Sequence, residues 1–318
     1  MATGYQQAAA LLAAGREGEA IALVRAAAQR GEAWGYYSLA ECKLVGQGMS
    51  RDARGAVELL EKAGALGWQA AAMRLVSLYA SGTGCTEQPA KAKQILDLAR
   101  SSDKFAEAQA RVLEREPDGS DFPAEILSED PDIRLFKGVL SAAECQWIAQ
   151  LAQPFLEPSF VEDPKTGERI PHPVRTSQGM SFGPLQEDLV VNRINRRIAR
   201  LSGTEYAWGE PLHVLSYEAG QEYKPHVDAL PGAANQRQAT AILYVNDGYE
   251  GGETVFPALD IMVEPQAGDM LLFANLDGEG NSDKRTEHAG RPVDWGHKWI
   301  ATRWIRQRRY HPWETATA

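Results

Sequence analysis

The first third of the chain repeats itself at an offset of 36 residues, and a fixed period of that length restricts the fold more than any other feature. Leu39 aligns with Leu75, Gly46 with Gly82, Gly48 with Gly84, Ala56 with Ala92, Leu60 with Leu96 and Ala63 with Ala99. A partial earlier copy aligns Ala20 with Ala56, Ala27 with Ala63 and Gly31 with Gly67. Each unit reads as a helix, a G-x-G turn and a second helix whose alanines permit close helix approach. One such unit cannot bury its own apolar face, so successive units must stack into a solenoid. Trp34, Tyr36, Tyr37 and Trp68 are candidates either for surface anchors or for packing between helices.

Composition then changes. Residues 114–129 (EREPDGSDFPAEILSE) are acidic and carry prolines, which marks a boundary near residue 120. The expected division is a helical repeat domain over 1–118 and a second domain over 119–318. A strand is predicted at 132–136, and Leu140-Ser141-x-x-Glu144 has the form of a capping box opening a helix to about residue 155. A second helix over 188–201 places Val191, Ile194 and Ile198 on one stripe. Residues 211–217, 223–228, 239–246, 251–257, 263–265 and 268–273 read as short strands between turn signals. Strands at this spacing, with no helical pattern between them, point to an antiparallel barrel or a double-sheet jelly roll.

Within those strands stand His226-Val227-Asp228, then His288 and Lys298. A histidine and a carboxylate two apart on a strand point to one face. A second histidine from a distant strand can complete a facial triad, whose open positions suit a non-haem Fe(II) oxygenase. Lys298 supplies a fixed positive charge for an anionic cosubstrate. Taken alone the pattern is weak, because each histidine has an ordinary surface or core reading. Lys298, Ile300, Thr302 and Trp304 alternate along one strand and share a face. His213 reads as structural, His172 and His311 as exposed, and His297 faces away from Lys298.

Residues 132–304 also resemble the prolyl 4-hydroxylase family of 2-oxoglutarate- and Fe(II)-dependent dioxygenases. The matching elements are Arg175-Thr176-Ser177, Tyr217-x-x-Gly220-x-x-Tyr223-x-x-His226-x-Asp228 and Arg237-x-x-Thr240-x-x-Leu243-Tyr244-x-Asn246. They continue through Gly251-Gly252-Glu253-Thr254-x-Phe256-Pro257, Pro265-x-x-Gly268 and His288-x-x-x-Pro292-Val293-x-x-Gly296-x-Lys298-Trp299. The resemblance implies a double-stranded β-helix (jelly-roll) dioxygenase domain with buttressing helices, and so a multidomain α + β chain. It maps the iron ligands, which are also the catalytic set, onto His226, Asp228 and His288. It maps the cosubstrate anchor onto Lys298, with Thr302 on the same carboxylate and Tyr217 and Tyr244 near the cosubstrate. The implied cofactors are Fe(II), 2-oxoglutarate, O2 and ascorbate. The implied reaction hydroxylates a prolyl or related residue in a protein or peptide and releases succinate and CO2. A free amino acid or small metabolite is the alternative substrate, and a repeat-based adaptor or oxygen sensor with little turnover is the alternative from another class. Desaturation or cyclisation would use the same centre.

Arg175 is the candidate substrate-binding residue, with a surface ion pair as its other reading. The family commonly carries an aromatic near position 181, where this chain has Ser181 followed by Phe182. Residues 157–173 are polar and proline-rich and read as a mobile loop, either a lid or a plain connection. The repeats resemble the Sel-like subclass of tetratricopeptide-type repeats over about residues 5–112, which implies a scaffold or the recruitment of a protein target.

The net charge of −10 disfavours nucleic acid as a partner. The basic run 303–309 (RWIRQRR) reads as a solvated edge. Cys42, Cys85 and Cys145 are too few and too scattered for a disulfide framework and suit a reducing compartment. No secretory signal and no membrane-spanning run is visible, so the expectation is a cytoplasmic protein with no membrane partner.

Overall fold

The structure, a computed structural model, describes residues 3–115, 121–162, 169–171 and 174–313. The chain divides into two compact units: Met1–Arg115 with Pro184–Asn192, and Glu116–Gly183 with Arg193–Ala318. Among the described residues no helix is long and apolar enough to cross a membrane.

Among the described residues, seven helices precede the first strand: α1 (Gly4–Ala13), α2 (Glu17–Gln29), α3 (Ala33–Val45), α4 (Ala53–Ala65), α5 (Gln69–Ser81), α6 (Pro89–Ala99) and α7 (Lys104–Arg115). The starts of α2, α4 and α6, and those of α3 and α5, fall at the 36-residue period read from the sequence. Each first helix of a repeat ends on a left-handed glycine, Gly46 at φ 77° and Gly82 at φ 73°. The second glycine of the turn is constrained as well. A Cβ on Gly84 would lie 2.5 Å from Ala53 O, so only glycine lets α4 start against this turn. Ala27, Ala40, Ala56, Ala63, Ala71 and Ala92 are fully buried, which is the close helix approach their small side chains permit. Among the aromatic anchor candidates, Trp68 packs against Tyr5 and Tyr37 at ring-centroid distances of 5.5 and 5.9 Å.

The strands are β1 (Ala124–Glu129), β2 (Asp132–Phe136), β3 (Glu157–Pro158), β4 (Phe160–Glu162), β5 (Arg169–Pro171) and β6 (Gln178–Phe182). They continue as β7 (Leu212–Tyr217), β8 (Tyr223–His226), β9 (Arg237–Tyr244), β10 (Tyr249–Gly251) and β11 (Thr254–Phe256). The last are β12 (Ile261–Val263), β13 (Met270–Ala274), β14 (His288–Gly290), β15 (Val293–Gly296) and β16 (Lys298–Arg306). An eight-stranded sheet runs β1-β2-β13-β9-β16-β7-β6-β3, and a four-stranded sheet runs β12-β11-β14-β8. Every pairing among the described residues is antiparallel, as a jelly roll requires. Leu135, Leu215, Ile242, Phe256, Phe273 and Ile300 form the core shared by the two sheets.

Helix α8 (Ala142–Ala152) opens on the predicted capping box of Ser141 and Glu144. Helix α9 (Leu189–Ser202) begins beside Asp188, whose Oδ1 accepts the Val191 N–H at 2.9 Å. Its Arg193 and Arg197 both reach the buried Glu144 carboxylate, at 2.8 and 3.0 Å, and so dock α9 on the start of α8.

Three expectations are corrected. Residues 124–129, read only as part of the acidic boundary stretch, form β1, an edge strand paired with β2 and largely exposed. The predicted loop over 157–173 contains β3, which pairs with β6, and β4, which pairs with β5; residues 163–168 and 172–173, His172 among them, lie outside the described residues. The basic run is not simply a solvated edge. Arg303 is 3% exposed and donates to the carbonyls of Asn195, Glu210 and Tyr206, while Arg306 pairs with Glu210 at 2.6 Å.

Candidate functional site

The two predicted histidines are direct cross-strand partners. His226 ends β8 and His288 starts β14, and the antiparallel register sets them opposite each other with ring centroids 4.3 Å apart. Asp228 arrives differently from the sequence expectation. Strand β8 stops at His226, and Asp228 lies in the bend that follows, so strand alternation does not bring it to the site. The bend sets its Oδ1 3.7 Å from His226 Nε2 and its Oδ2 3.8 Å from His288 Nε2. One donor atom from each of the three residues lies within 4.8 Å of the others.

The ring nitrogens have distinct partners. His226 Nδ1 lies 2.9 Å from Lys224 O and His288 Nδ1 lies 3.1 Å from Thr286 O. A carbonyl can only accept, so each Nδ1 carries the proton and each Nε2 presents its lone pair to the shared space. Two imidazole nitrogens and a carboxylate oxygen converging in this way fit a divalent transition metal. Burial, and then His288, push His226 down to about 4, which keeps its ring neutral and ready to ligate. Burial raises the Asp228 carboxyl, but His288, His226 and the Thr240 hydroxyl outweigh it and hold the group below its usual range. The rings are clamped by aromatics. Tyr223 stacks on His226 at 3.5 Å, while Phe273 and Phe256 meet His288 at 4.8 and 5.6 Å.

From the triad a cavity runs between the sheets. Lys298, Ile300, Thr302 and Trp304 line it from one face of β16, as their alternation predicts, with Tyr217 from β7 and Thr254 from β11. Lys298 is 3% exposed; its ammonium donates to Gly252 O at 2.6 Å and lies 5.7 and 5.8 Å from the Tyr217 and Tyr244 rings. Gly252 sits at φ 68° after Gly251 at φ 73°, and this bend turns the carbonyl toward the ammonium. Burial pushes Lys298 down to about 8, with Glu253 acting in the opposite sense.

Not every predicted residue faces the cavity. The Tyr244 hydroxyl donates to Thr254 Oγ1 at 2.9 Å and lies behind the lining, so its contribution passes through Thr254. Arg175 pairs across to Tyr223, with its guanidinium 5.3 Å above that ring and its Nε donating to Ser159 Oγ at 3.1 Å. Phe182 does not replace the aromatic at position 181. It is buried on the opposite face of β6, whereas Ser181 is exposed and bonds His213 at 2.8 Å. Burial pushes His213 down to about 3, as its structural reading implies. Tyr223, Trp304, Thr254 and Thr240 carried no assigned role in the sequence. Tyr223, Thr240 and Thr254 stand inside the quoted motifs, but only three-dimensional proximity separates them from structural neighbours such as Asn246, whose amide accepts Trp299 N–H and donates to His297 O.

The family model described as the 2OG-Fe(II) oxygenase superfamily matches residues 212–306. Prolyl 4-hydroxylase 1 of Arabidopsis thaliana is 37% identical over 203 residues, which cover 58% of this chain and 72% of the plant protein. A viral collagen prolyl hydroxylase from Paramecium Bursaria Chlorella virus-1, solved with 2OG, is 29% identical over 55% of this chain and 95% of its own, with a TM-score of 0.45. A Sel1 repeat protein from Oxalobacter formigenes matches 35% of this chain and 86% of its own at 21% identity, with a TM-score of 0.32. On the identity and coverage of the plant enzyme, the chain belongs to the prolyl 4-hydroxylase family of 2OG-Fe(II) oxygenases and is a 2-oxoglutarate-dependent dioxygenase.

Proposed function

We propose that the chain hydroxylates a prolyl or related residue in a protein or peptide, with His226, Asp228 and His288 holding Fe(II) and Lys298 anchoring 2-oxoglutarate. The observation that carries this reading is the convergence of two Nε2 lone pairs and one carboxylate at the end of a cavity that also holds a buried ammonium. When bound, iron and 2-oxoglutarate supply the oxidation that couples O2 and decarboxylation to C–H hydroxylation, with succinate and CO2 released.

The protein's own residues orient and exclude. Lys298 meets the distal carboxylate of the cosubstrate, and Thr302, four residues on along the same face, donates its hydroxyl to that group. Tyr217 and Ile300 close the walls of the cavity and keep water from the buried charges. The Lys224 and Thr286 carbonyls hold the two histidines in the tautomer that ligates. Arg175 and Tyr223 flank the triad on the side where substrate would approach. The prolyl assignment draws support from the plant relative, which is named a prolyl 4-hydroxylase.

The helical repeats recruit the protein target. A groove of about 550 Å³ within that unit, lined by Trp68, Leu75, Tyr79, Ile95 and Leu98, offers it an apolar surface. Anaerobic titration with Fe(II) and 2-oxoglutarate tests the centre and is expected to give a metal-to-ligand charge-transfer band. Absence of that band in the wild type would sink the reading. Succinate release on proline-containing peptides, with free proline beside them, tests the substrate; turnover of free proline alone would replace the protein substrate by a small metabolite.

A further inference from the structure

Behind the metal-facing side of Asp228 lies a short buried relay that none of the proposed ligands explains. Thr240 Oγ1 is 2.7 Å from Asp228 Oδ2, and Asn275 Nδ2 is 2.9 Å from the same Thr240 oxygen. Thr240 is 0% exposed and Asn275 is 1% exposed, so water does not compete for these bonds. Their polarity is forced. An ionised carboxylate only accepts, so the single hydroxyl proton of Thr240 goes to Asp228. The remaining Thr240 lone pair needs a donor, and Asn275 must therefore present its NH2 rather than its carbonyl.

The cost of that arrangement is visible. Asn275 Oδ1 is buried with no partner among the described residues, an arrangement that folded proteins rarely keep without a reason. Asn275 is itself held at both ends of its backbone. Its N–H donates to Gln238 O at 2.8 Å and its carbonyl accepts the Asp283 N–H at 3.0 Å. The relay thus runs from a pinned main chain, through β9, to one oxygen of a carboxylate on a bend. That bend is the one place where strand geometry does not orient a member of the triad.

We infer that Thr240 and Asn275 are positioning residues that lock the Asp228 carboxylate by its Oδ2, leaving Oδ1 as the oxygen offered to the metal. This rests on the reading of His226, Asp228 and His288 as the iron site. Without the hydroxyl, the carboxylate can turn about its Cβ–Cγ bond, and metal affinity falls because the ligand must be ordered at the moment of binding.

The test is titration of the full chain with Co(II) alone, followed by calorimetry, so that no turnover enters the readout. Thr240→Val, which keeps the shape and removes the hydroxyl, is expected to weaken Co(II) binding by about ten- to a hundredfold. Thr240→Ser restores it to within about threefold of the wild type. Asn275→Leu weakens binding alone but adds nothing in the Thr240→Val background, because both act through one bond. Wild-type affinity in Thr240→Val, with an unchanged Tm of the metal-free protein, overturns the inference. Should Val at 240 prevent folding, wild-type affinity in Asn275→Leu overturns it equally. Failure of the wild type to bind Co(II) at all would instead remove the iron reading on which the relay depends, and the relay with it.

Discussion

An ammonium buried as deeply as that of Lys298 is costly to keep charged unless an anion joins it. Burial has pushed it down to about 8, so the ligand-free protein holds a proton there at neutral pH and loses it not far above. Only the protonated form attracts a dicarboxylate. The affinity for 2-oxoglutarate is therefore expected to be flat below about pH 7 and to fall about tenfold per pH unit above about 8, because protonation and binding are linked. Lys298→Met should weaken binding by about a hundredfold and abolish that pH dependence, since it leaves a buried carboxylate unpaired at a cost of about 3 kcal/mol. Calorimetric titration between pH 7 and 10 checks both, and a pH-dependent affinity that survives in the methionine variant would place the titration elsewhere.

Single elements carry the next scale of consequence. The repeat period was legible because small residues recur wherever two backbones approach, and Gly84 is the sharpest instance. At φ 74° it sits where a side chain is strained, and an added Cβ would strike the Ala53 carbonyl, which cannot move without unseating α4. Gly15 has a similar φ of 71° with nothing within 4 Å. Gly15→Ala should therefore cost about 1 kcal/mol from backbone strain alone, and Gly84→Ala at least about 2 kcal/mol. Thermal unfolding of the two variants side by side measures the difference; equal losses would mean that α4 yields to the turn. Strand β8 shows the opposite limit of legibility. Its sequence gives the period that sets His226 on the site face, but the strand ends one residue short of Val227, and a bend rather than a pleat delivers Asp228.

At the scale of the whole molecule, the linear division into 1–118 and 119–318 misses one segment. Pro184–Asn192 is counted with the repeats. Arg74 Nη1 donates to Leu185 O at 2.5 Å, Gln109 Nε2 to Asp188 Oδ2 at 2.8 Å, and Asn192 Nδ2 to Ala80 O at 3.4 Å. A chain cut to residues 116–318 would strand the buried Asp188 and Asn192 without these partners, and α9 begins at that point. Each lost buried bond costs about 1–3 kcal/mol. Such a truncation is expected to melt lower than the full chain and to bind a hydrophobic dye. An unchanged Tm in scanning calorimetry would show instead that the repeats are dispensable to the fold and separable as a recruiting module.

The donors at 226, 228 and 288 stood out only through the resemblance of the surrounding motifs, while periodicity and residue type were enough to determine the helical repeats, the succession of short strands and the alternation that lines β16. These depend on local spacing, and local spacing is written directly in the chain. Tertiary structure alone decided which atoms meet. The register of β8 with β14 made two distant histidines neighbours, and the pairing of β9 with β13 brought Thr240 toward Asn275 and so behind Asp228. The return of residues 184–192 to the repeats was settled in the same way. Such contacts join residues dozens of positions apart, and no period along the chain encodes them.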